Sequence, residues 1–154
     1  MPRVLGARIG QMLQVTNEDV TVHNVHSLSK AGNDFNRTEP INGKPFDFTL
    51  KAGELLRITC DSHTWMTAYI GIFDNPHFSV SGADGSFTIA NVPAGKQTVK
   101  AWHEVMGTQM QMVDVQAGKS TTVDFTFAAG SEDGPQHTRA RAVYPCGREA
   151  GHQR

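Results

Sequence analysis

Apolar residues recur at every second position along most of residues 1–128, and this alternation limits what the chain can fold into. A period of two is that of a β-strand, whose successive side chains point to opposite faces of a sheet. No segment of this range shows the helical period. We therefore predict an all-β fold.

The alternating segments are short and are separated by turn-forming residues. Glycine-containing breaks between them are typical of the turns that join hairpin strands. Many short strands at regular spacing indicate a β-sandwich or a barrel. The breaks are Lys51-Ala-Gly, Ala83-Asp-Gly, Pro93-Ala-Gly and Ala117-Gly-Lys. The predicted strands are residues 12–15, 20–25, 46–50, 54–60, 67–73, 78–80, 86–92, 97–103, 109–115 and 121–127.

The composition changes near residue 128, and this change predicts where the folded part ends. Between residues 129 and 154, Val143 is the only aliphatic residue of the Val, Ile or Leu type. A segment with so little apolar surface cannot offset the entropy lost when its chain is ordered. We predict one folded domain over residues 1–128, followed by a flexible, disordered tail over residues 129–154.

The amino end has no leading strand in the predicted pattern. The first predicted strand begins at residue 12, and nothing before it is available to pair with it. The residues that precede it lack an apolar core of the length that a secretory signal peptide requires. We therefore expect that a signal peptide and a first strand are missing from this end.

Charge and motif content exclude several classes of function. The formal net charge is −1, and no basic patch indicates binding to nucleic acid. No apolar run approaches the ~20 residues that a membrane span needs. The sequence has no nucleophile elbow of the Gly-x-Ser-x-Gly type, no phosphate-binding glycine loop and no recognisable pair of catalytic carboxylates. We therefore expect that the protein is not an enzyme.

The two cysteines are too few for a disulfide-rich scaffold, so a functional cysteine here is a metal ligand or a nucleophile. Cys60 ends a predicted strand on its core-facing side, and His63 and Met66 follow in the next turn. Soft sulfur ligands with imidazole suit copper, and two His, one Cys and a weak axial Met form an electron-transfer site. Thiolate and imidazole also suit zinc. The alternatives are a buried free thiol at Cys60 and a Met66 that fills core space.

The segment His23-Asn24-Val25 resembles the first-ligand strand of plastocyanin-type cupredoxins, and Cys60-x₂-His63 resembles their second and third ligands. This resemblance implies a Greek-key β-sandwich of the cupredoxin-like type. It also implies a mononuclear copper site with His23, Cys60 and His63 as equatorial ligands and Met66 as the axial ligand. Two residues separate His63 from Met66, against four in plastocyanins. The shorter spacing resembles the copper loop of cytochrome oxidase subunit II, whose second cysteine this loop lacks.

Three residues near the proposed ligands have two interpretations each. Either His23 or His26 is the histidine ligand that comes from outside the Cys60–Met66 segment, because on an extended strand the two face opposite sides. The His-Asn-Val match favours His23 and leaves His26 at the edge of the site. Asn24 either ties the two ligand-bearing segments together, as its counterpart does in cupredoxins, or is a plain surface residue. Trp65 is either a hydrophobic cover over the site or an ordinary core aromatic.

The second half of the chain resembles another family. Residues 84–103 resemble the carboxypeptidase regulatory-like (transthyretin-like) β-sandwich, in which a hairpin turn and a Pro-x-Gly turn bracket alternating strands. Taken with the cupredoxin resemblance, this implies one composite sandwich over residues 1–128, or two closely packed halves, and not two independent domains.

The remaining His and Met residues give weaker indications of function. His77 and His103 either join His26 in a second metal site or occupy structural positions, and we favour the latter. Met110 and Met112 alternate on a predicted strand, which favours core packing over copper handling.

The resulting hypothesis is a copper-binding electron-transfer protein that exchanges electrons with a redox partner protein. The cupredoxin resemblance implies export to the periplasm or the cell surface. Copper storage or delivery, or zinc binding, by the same ligands is the alternative within metal chemistry. A metal-free structural or interaction module of a cell-envelope assembly is the alternative from a different class.

Overall fold

The computed structural model describes residues 2–128 and 142–145. Every regular element in these two ranges is a β-strand and none is a helix, so the prediction of an all-β fold is confirmed. Contacts divide the chain into two compact units, Met1–Pro76 and His77–Arg154. In the described ranges there is no helix of the length and apolarity needed to cross a membrane.

The first unit consists of two β-sheets. The larger sheet has five strands in the order β1-β7-β6-β3-β4, and the smaller one pairs β2 with β5. β1 is parallel to β7, whereas the other pairs are antiparallel. The strands are β1 Val4–Arg8, β2 Met12–Val15, β3 His23–Leu28, β4 Asn36–Glu39, β5 Phe46–Thr49, β6 Leu55–Thr59 and β7 Thr67–Phe73.

The two sheets of this unit pack face to face around one apolar core. Leu13 of β2 and Phe48 of β5 pack against buried residues that belong mainly to the five-stranded sheet. The chain passes between the sheets four times before β6, the crossing pattern of a Greek-key sandwich. The buried core consists of Ala7, Leu50, Leu56, Ile58, Ala68, Ile70 and Ile72. Because Leu56 and Ile58 alternate on β6, Cys60 continues their face and is itself buried.

Two of these strands were not predicted from the sequence, and a third begins later than expected. β1 precedes the first predicted strand, so the expectation that no strand comes before residue 12 is wrong; β1 pairs with β7 and not with β2. β4 is a polar edge strand without apolar alternation, which hides it from a hydropathy pattern. β3 begins at His23 rather than at residue 20, because Val20 lies in a turn and is 89% exposed.

A buried amide fastens the loop after β3 to the turn before β6. Asn33 is fully buried, and its side-chain Nδ2 donates to the Ala52 carbonyl at 3.0 Å and to Glu54 Oε1 at 2.7 Å. Its Oδ1 accepts from the Lys51 backbone N–H at 2.7 Å. The Glu54 carboxylate also accepts from Ser29 Oγ at 2.5 Å and from a backbone N–H of the same loop. These bonds replace regular pairing where the chain leaves the sheet.

Glu54→Gln is expected to lower the free energy of unfolding at pH 7 by about 2 kcal/mol, because hydrogen bonds to a charged group are lost. Burial opposes ionisation of Glu54, but hydrogen bonds from the Lys30 backbone N–H, the Ser29 hydroxyl and the Asn33 side-chain amide outweigh it and hold its pKa below the ordinary value. Its contribution is therefore present above the unfolded pKa of about 4.3 and is lost as pH falls through the folded pKa. Urea unfolding from pH 7 to pH 3 tests this. The difference in the free energy of unfolding between wild type and Glu54→Gln should narrow below pH 4. The exposed control Glu18→Gln should unfold with nearly the same free energy as wild type at each pH.

The second unit is built on one four-stranded sheet in the order β10-β9-β11-β8. Its strands are β8 Ser79–Val80, β9 Gly95–His103, β10 Gly107–Val115 and β11 Ala142–Pro145. β9 and β10 form a long antiparallel hairpin. Gly107, the first residue of β10, follows the hairpin turn and adopts φ 75°. β11 lies within the predicted tail, the rest of which falls outside the described residues. The composite domain, the flexible tail and the carboxypeptidase regulatory-like resemblance stay predictions.

Two predicted strands of this unit, residues 86–92 and 121–127, are not strands. The carbonyls of Asp124 and Thr126 accept hydrogen bonds from the side chains of Gln111 and Gln109, so this segment follows β10 without a backbone ladder. In the other segment, Asn91 adopts φ 57°, which interrupts an extended chain. The packing expected for two methionines is also wrong: Met110 is 62% and Met112 is 74% exposed.

Candidate metal centre

Three side chains of metal-ligand type meet at one end of the first unit. His23 is the first residue of β3, Cys60 follows β6, and His63 lies in the loop between β6 and β7. His63 Nδ1 lies 3.2 Å from His23 Nδ1 and 3.5 Å from Cys60 Sγ. All three ligand-type atoms lie within 4.8 Å of one another. We call these three residues the His-Cys-His cluster.

The Cys60 side chain is held in surroundings that favour a thiolate. Cys60 is 4% exposed, and its Sγ accepts a hydrogen bond from the Asn24 backbone N–H at 3.4 Å. Burial by itself raises the pKa of this thiol. The hydrogen bonds from Asn24, His63, the Ser62 backbone and His23 outweigh burial and lower the pKa to about 6. The thiolate, which is the form that binds metals, therefore predominates at neutral pH.

The His23 ring is engaged at both nitrogens. Nδ1 lies 3.2 Å from His63 Nδ1, inside the His-Cys-His cluster, and Nε2 lies 2.8 Å from Asp19 Oδ2. The hydrogen bond with Cys60 raises the pKa of His23, burial lowers it, and Asp19 raises it further, with a net increase over the ordinary value. Sequence reasoning missed Asp19, because nothing in the pattern of residues 17–21 shows that this turn folds back over His23.

A short turn brings His63 and Met66 back towards Cys60. The backbone N–H groups of His63 and Met66 donate to the carbonyls of Cys60 and His63, at 3.3 and 2.9 Å. The N–H of Cys60 donates to the Met66 carbonyl at 3.2 Å and closes the turn. Met66 also lines a surface cavity of about 330 Å³ together with His23, His63 and Trp65. Met66 thus lies beside the cluster, and its role as an axial ligand stays a prediction.

Asn24 ties the strand of His23 to the segment that contains Cys60 and His63, as the cupredoxin resemblance implied. Its Oδ1 accepts from the Asp61 backbone N–H at 2.9 Å, while its own N–H reaches Cys60. Its Nδ2 bonds Asn36, whose Nδ2 donates to Asp61 Oδ2 at 3.1 Å. His26 Nδ1 contacts the same carboxylate at 2.9 Å, and His26 and Asn36 hold the pKa of Asp61 below its ordinary value. His26 therefore belongs to this outer network and not to the cluster.

Trp65 does not lie in the core, and His77 and His103 of the second unit do not belong to a second metal-ligand cluster among the described residues. Trp65 is 76% exposed with its ring centroid 5.4 Å from that of His63, so it covers one side of His63 and is not a core aromatic. His103 is buried, and its Nδ1 accepts from the backbone N–H groups of Val105 and Met106 in the hairpin turn. His77 Nδ1 contacts the Ala90 carbonyl at 3.4 Å.

The donor set of the cluster fits a first-row transition metal. Bond lengths of about 2.0–2.3 Å from one ion to nitrogen and sulfur place neighbouring ligand atoms roughly 3–4 Å apart, as the two shorter separations are here. A thiolate with two imidazoles suits copper and zinc and does not suit hard cations such as magnesium or calcium. Within residues 2–128 this is the one group of three or more His, Cys, Asp or Glu side chains close enough to share an ion.

The solved structures that this chain resembles are distant from it in sequence. No family model matches the sequence, and no curated protein is significantly similar to it. Solved structures of amicyanin, a cupredoxin, are similar over 46% of this chain and 69% of theirs. A reduced Trp-to-Tyr mutant has 17% identity and a TM-score of 0.39, and a reduced Pro-to-Phe mutant has 15% and 0.40. The Cu(I) form of a Met-to-Ala mutant has 17% and 0.39. Similarity at this level says nothing about what this chain binds.

Proposed function

We propose that the protein binds one copper ion through His23, Cys60, His63 and Met66 and transfers single electrons to and from a redox partner protein. The observation that carries this proposal is the His-Cys-His cluster, in which a thiol with a pKa of about 6 lies within 4.8 Å of two imidazole nitrogens. When bound, copper would supply the Cu(II)/Cu(I) couple.

The chain's own contribution is to hold its ligands in place before and after an electron moves. Cys60 is buried and bonded by the Asn24 N–H, and the turn from Cys60 to Met66 is closed by its own backbone hydrogen bonds. Asn24 joins the strand of His23 to the loop of His63. Ligands fixed in this way rearrange little between two oxidation states, which supports electron transfer.

The access route for electrons in this proposal is the His63 side of the cluster. His63 lines the surface cavity and contacts the exposed Trp65 ring. A partner protein docked there would come close to a ligand imidazole. The protein acts in this proposal as a carrier and not as an enzyme, and it functions in the periplasm or at the cell surface without binding nucleic acid.

Cu(II) loading tests the proposal. The apo protein is expected to take up one equivalent and to develop an intense thiolate-to-copper charge-transfer band, which Cys60→Ser abolishes because the ligand sulfur is gone. Visible absorption and EPR spectra of the two proteins measure this, with metal content determined in parallel. Binding of one equivalent of copper without this band would rule out the proposed thiolate-ligated electron-transfer site. An intact fold that retains no metal would instead favour a metal-free interaction module.

The cavity beside the cluster gives some support to copper storage or delivery by the same ligands. It reaches His23 and His63 from the surface, and metal transfer to another protein needs such access. A high Cu(I) affinity without a reversible redox couple in voltammetry would favour delivery over electron transfer. Preferential retention of zinc would favour a zinc site.

A further inference from the structure

One charged contact at the centre is not explained by metal ligation itself. Asp19 Oδ2 lies 2.8 Å from His23 Nε2, on the side of the ring that faces away from Cys60 and His63. The His23 side chain is 14% exposed, whereas that of Asp19 is 68% exposed. The carboxylate thus approaches a largely buried imidazole from the solvent side.

This contact determines which ring nitrogen of His23 carries the proton. A carboxylate only accepts hydrogen bonds, so His23 Nε2 must be the donor. The protonated ring donates to Asp19 from Nε2 and to Cys60 from Nδ1; once the ring is neutral and Nε2 keeps its proton, Nδ1 carries a free lone pair. Nδ1 is the atom that faces His63 in the cluster. The contact with Asp19 therefore selects the tautomer that can bind a metal at Nδ1.

The turn that carries Asp19 is fixed by a second side chain. Asn17 Oδ1 accepts from the Asp19 backbone N–H at 3.0 Å, and Asn17 Nδ2 donates to the carbonyl of Thr21 at 2.8 Å. The same Nδ2 donates to the carbonyl of Glu39 at 2.9 Å, and Glu39 is paired with His23 in the sheet. Asn17 thus anchors the Asp19 turn to the strand that neighbours the ligand.

We propose that Asp19, held by Asn17, is a positioning residue that orients His23, fixes its Nε2–H tautomer and favours Cu(II) over Cu(I) at the centre. This inference rests on the proposed copper-binding function. A negative charge hydrogen-bonded to a ligand imidazole increases the electron donation of that ligand, and the more highly charged ion gains more from it. Asp19 itself does not bind the metal.

The matched variants are Asp19→Asn, Asn17→Ala and Glu18→Gln. Asp19→Asn removes the charge at the His23 contact, and Glu18→Gln removes the same charge one residue away in the same turn. Asn17→Ala keeps the Asp19 carboxylate but removes the side chain that holds its turn against the sheet. Affinities for Cu(II) and Cu(I) alone are measured by competition with chromophoric chelators, and the reduction potential by voltammetry.

Asp19→Asn is expected to weaken Cu(II) binding about tenfold, the low end for loss of an outer partner of a ligand histidine. Cu(I) binding should change less, so the potential should rise by up to about 59 mV. Asn17→Ala should shift both affinities in the same direction by a smaller factor, and Glu18→Gln should leave them at wild-type values. An equal effect of Asp19→Asn and Glu18→Gln would overturn the inference, because it would show a general charge effect without positioning.

A measurement on the metal-free protein separates this inference from the proposed function. The ¹⁵N spectrum of the neutral His23 ring is expected to show the proton on Nε2 in wild type and a mixture of tautomers in Asp19→Asn. A wild-type ring protonated on Nδ1 would overturn the role of Asp19 whatever metal binds. The copper-loaded protein could lack the charge-transfer band while the metal-free His23 ring carries its proton on Nε2 as expected. That pair of results would overturn the proposed function and leave the positioning of His23 supported.

Discussion

His23→Ala and His63→Ala are each expected to abolish the charge-transfer band of the copper-loaded protein, whereas His26→Ala is expected to retain it. The first two variants remove an imidazole nitrogen that lies within 4.8 Å of the other ligand-type atoms. His26 contacts Asp61 in the outer network, so its loss leaves the ligand set complete. Visible and EPR spectra at one equivalent of Cu(II) compare the three variants directly.

The His26→Ala variant is the matched control, because it removes the same ring from the same strand. Its pair with Asp61 is solvent-accessible and contributes little to folding, so the variant should fold like wild type. Loss of the band in His26→Ala together with its survival in His23→Ala would assign the remote ligand to His26. That result would contradict the geometry of the cluster.

Asn33→Ala is expected to produce the largest loss of stability among the variants discussed, lowering the free energy of unfolding by about 3 kcal/mol. The substitution leaves the Lys51 N–H and the Ala52 carbonyl without their buried partner and removes a donor from Glu54. Each buried group left unsatisfied costs about 1–3 kcal/mol. Urea unfolding followed by circular dichroism at pH 7 measures the change.

Gln14→Ala provides the comparison for a surface amide. Gln14 is exposed, and its Nε2 donates to Asp47 Oδ1 at 3.0 Å. Loss of this bond should change the free energy of unfolding by less than about 0.5 kcal/mol, since water replaces the partner. Comparable losses in the two variants would show that burial of the Asn33 network adds nothing to the stability of the unit.

The candidate ligands near residue 60 were predictable from local sequence. Cys60 and His63 lie three residues apart at the end of an alternating strand, and a turn this short keeps their side chains close. The alternation of Leu56 and Ile58 also gave the face of Cys60 correctly. Local spacing and a period of two were sufficient there.

The remote ligand-type residue needed more than local spacing. His23 and His26 are three positions apart, and periodicity shows only that they face opposite sides. The choice between them depended on the resemblance of His23-Asn24-Val25 to a known ligand strand. In the structure, the antiparallel pairing of β3 with β6 places His23 near Cys60. Strand pairing across more than thirty positions is not encoded in local sequence.

The outer contacts of the centre were the least predictable part. Asp19 reaches His23 because Asn17 shapes an irregular turn, and Asn36 reaches Asp61 from a polar edge strand. Neither feature has an apolar alternation that sequence periodicity detects. Hydrogen bonds of the side chains Gln109 and Gln111 similarly replaced a ladder that periodicity predicted. Side-chain hydrogen bonds outside regular strand pairing therefore account for these particular errors.

The parallel pairing of β1 with β7 has a consequence for how the centre comes into existence. Val4 pairs with Tyr69, so the two ends of the first unit meet in the sheet that also carries His23 and leads into Cys60. Pairings between residues so far apart in sequence close large loops and form slowly. During synthesis the sheet cannot be completed until β7 has left the ribosome. Under the proposed function, we therefore expect the copper centre to form late, after the first and last strands of this unit have paired.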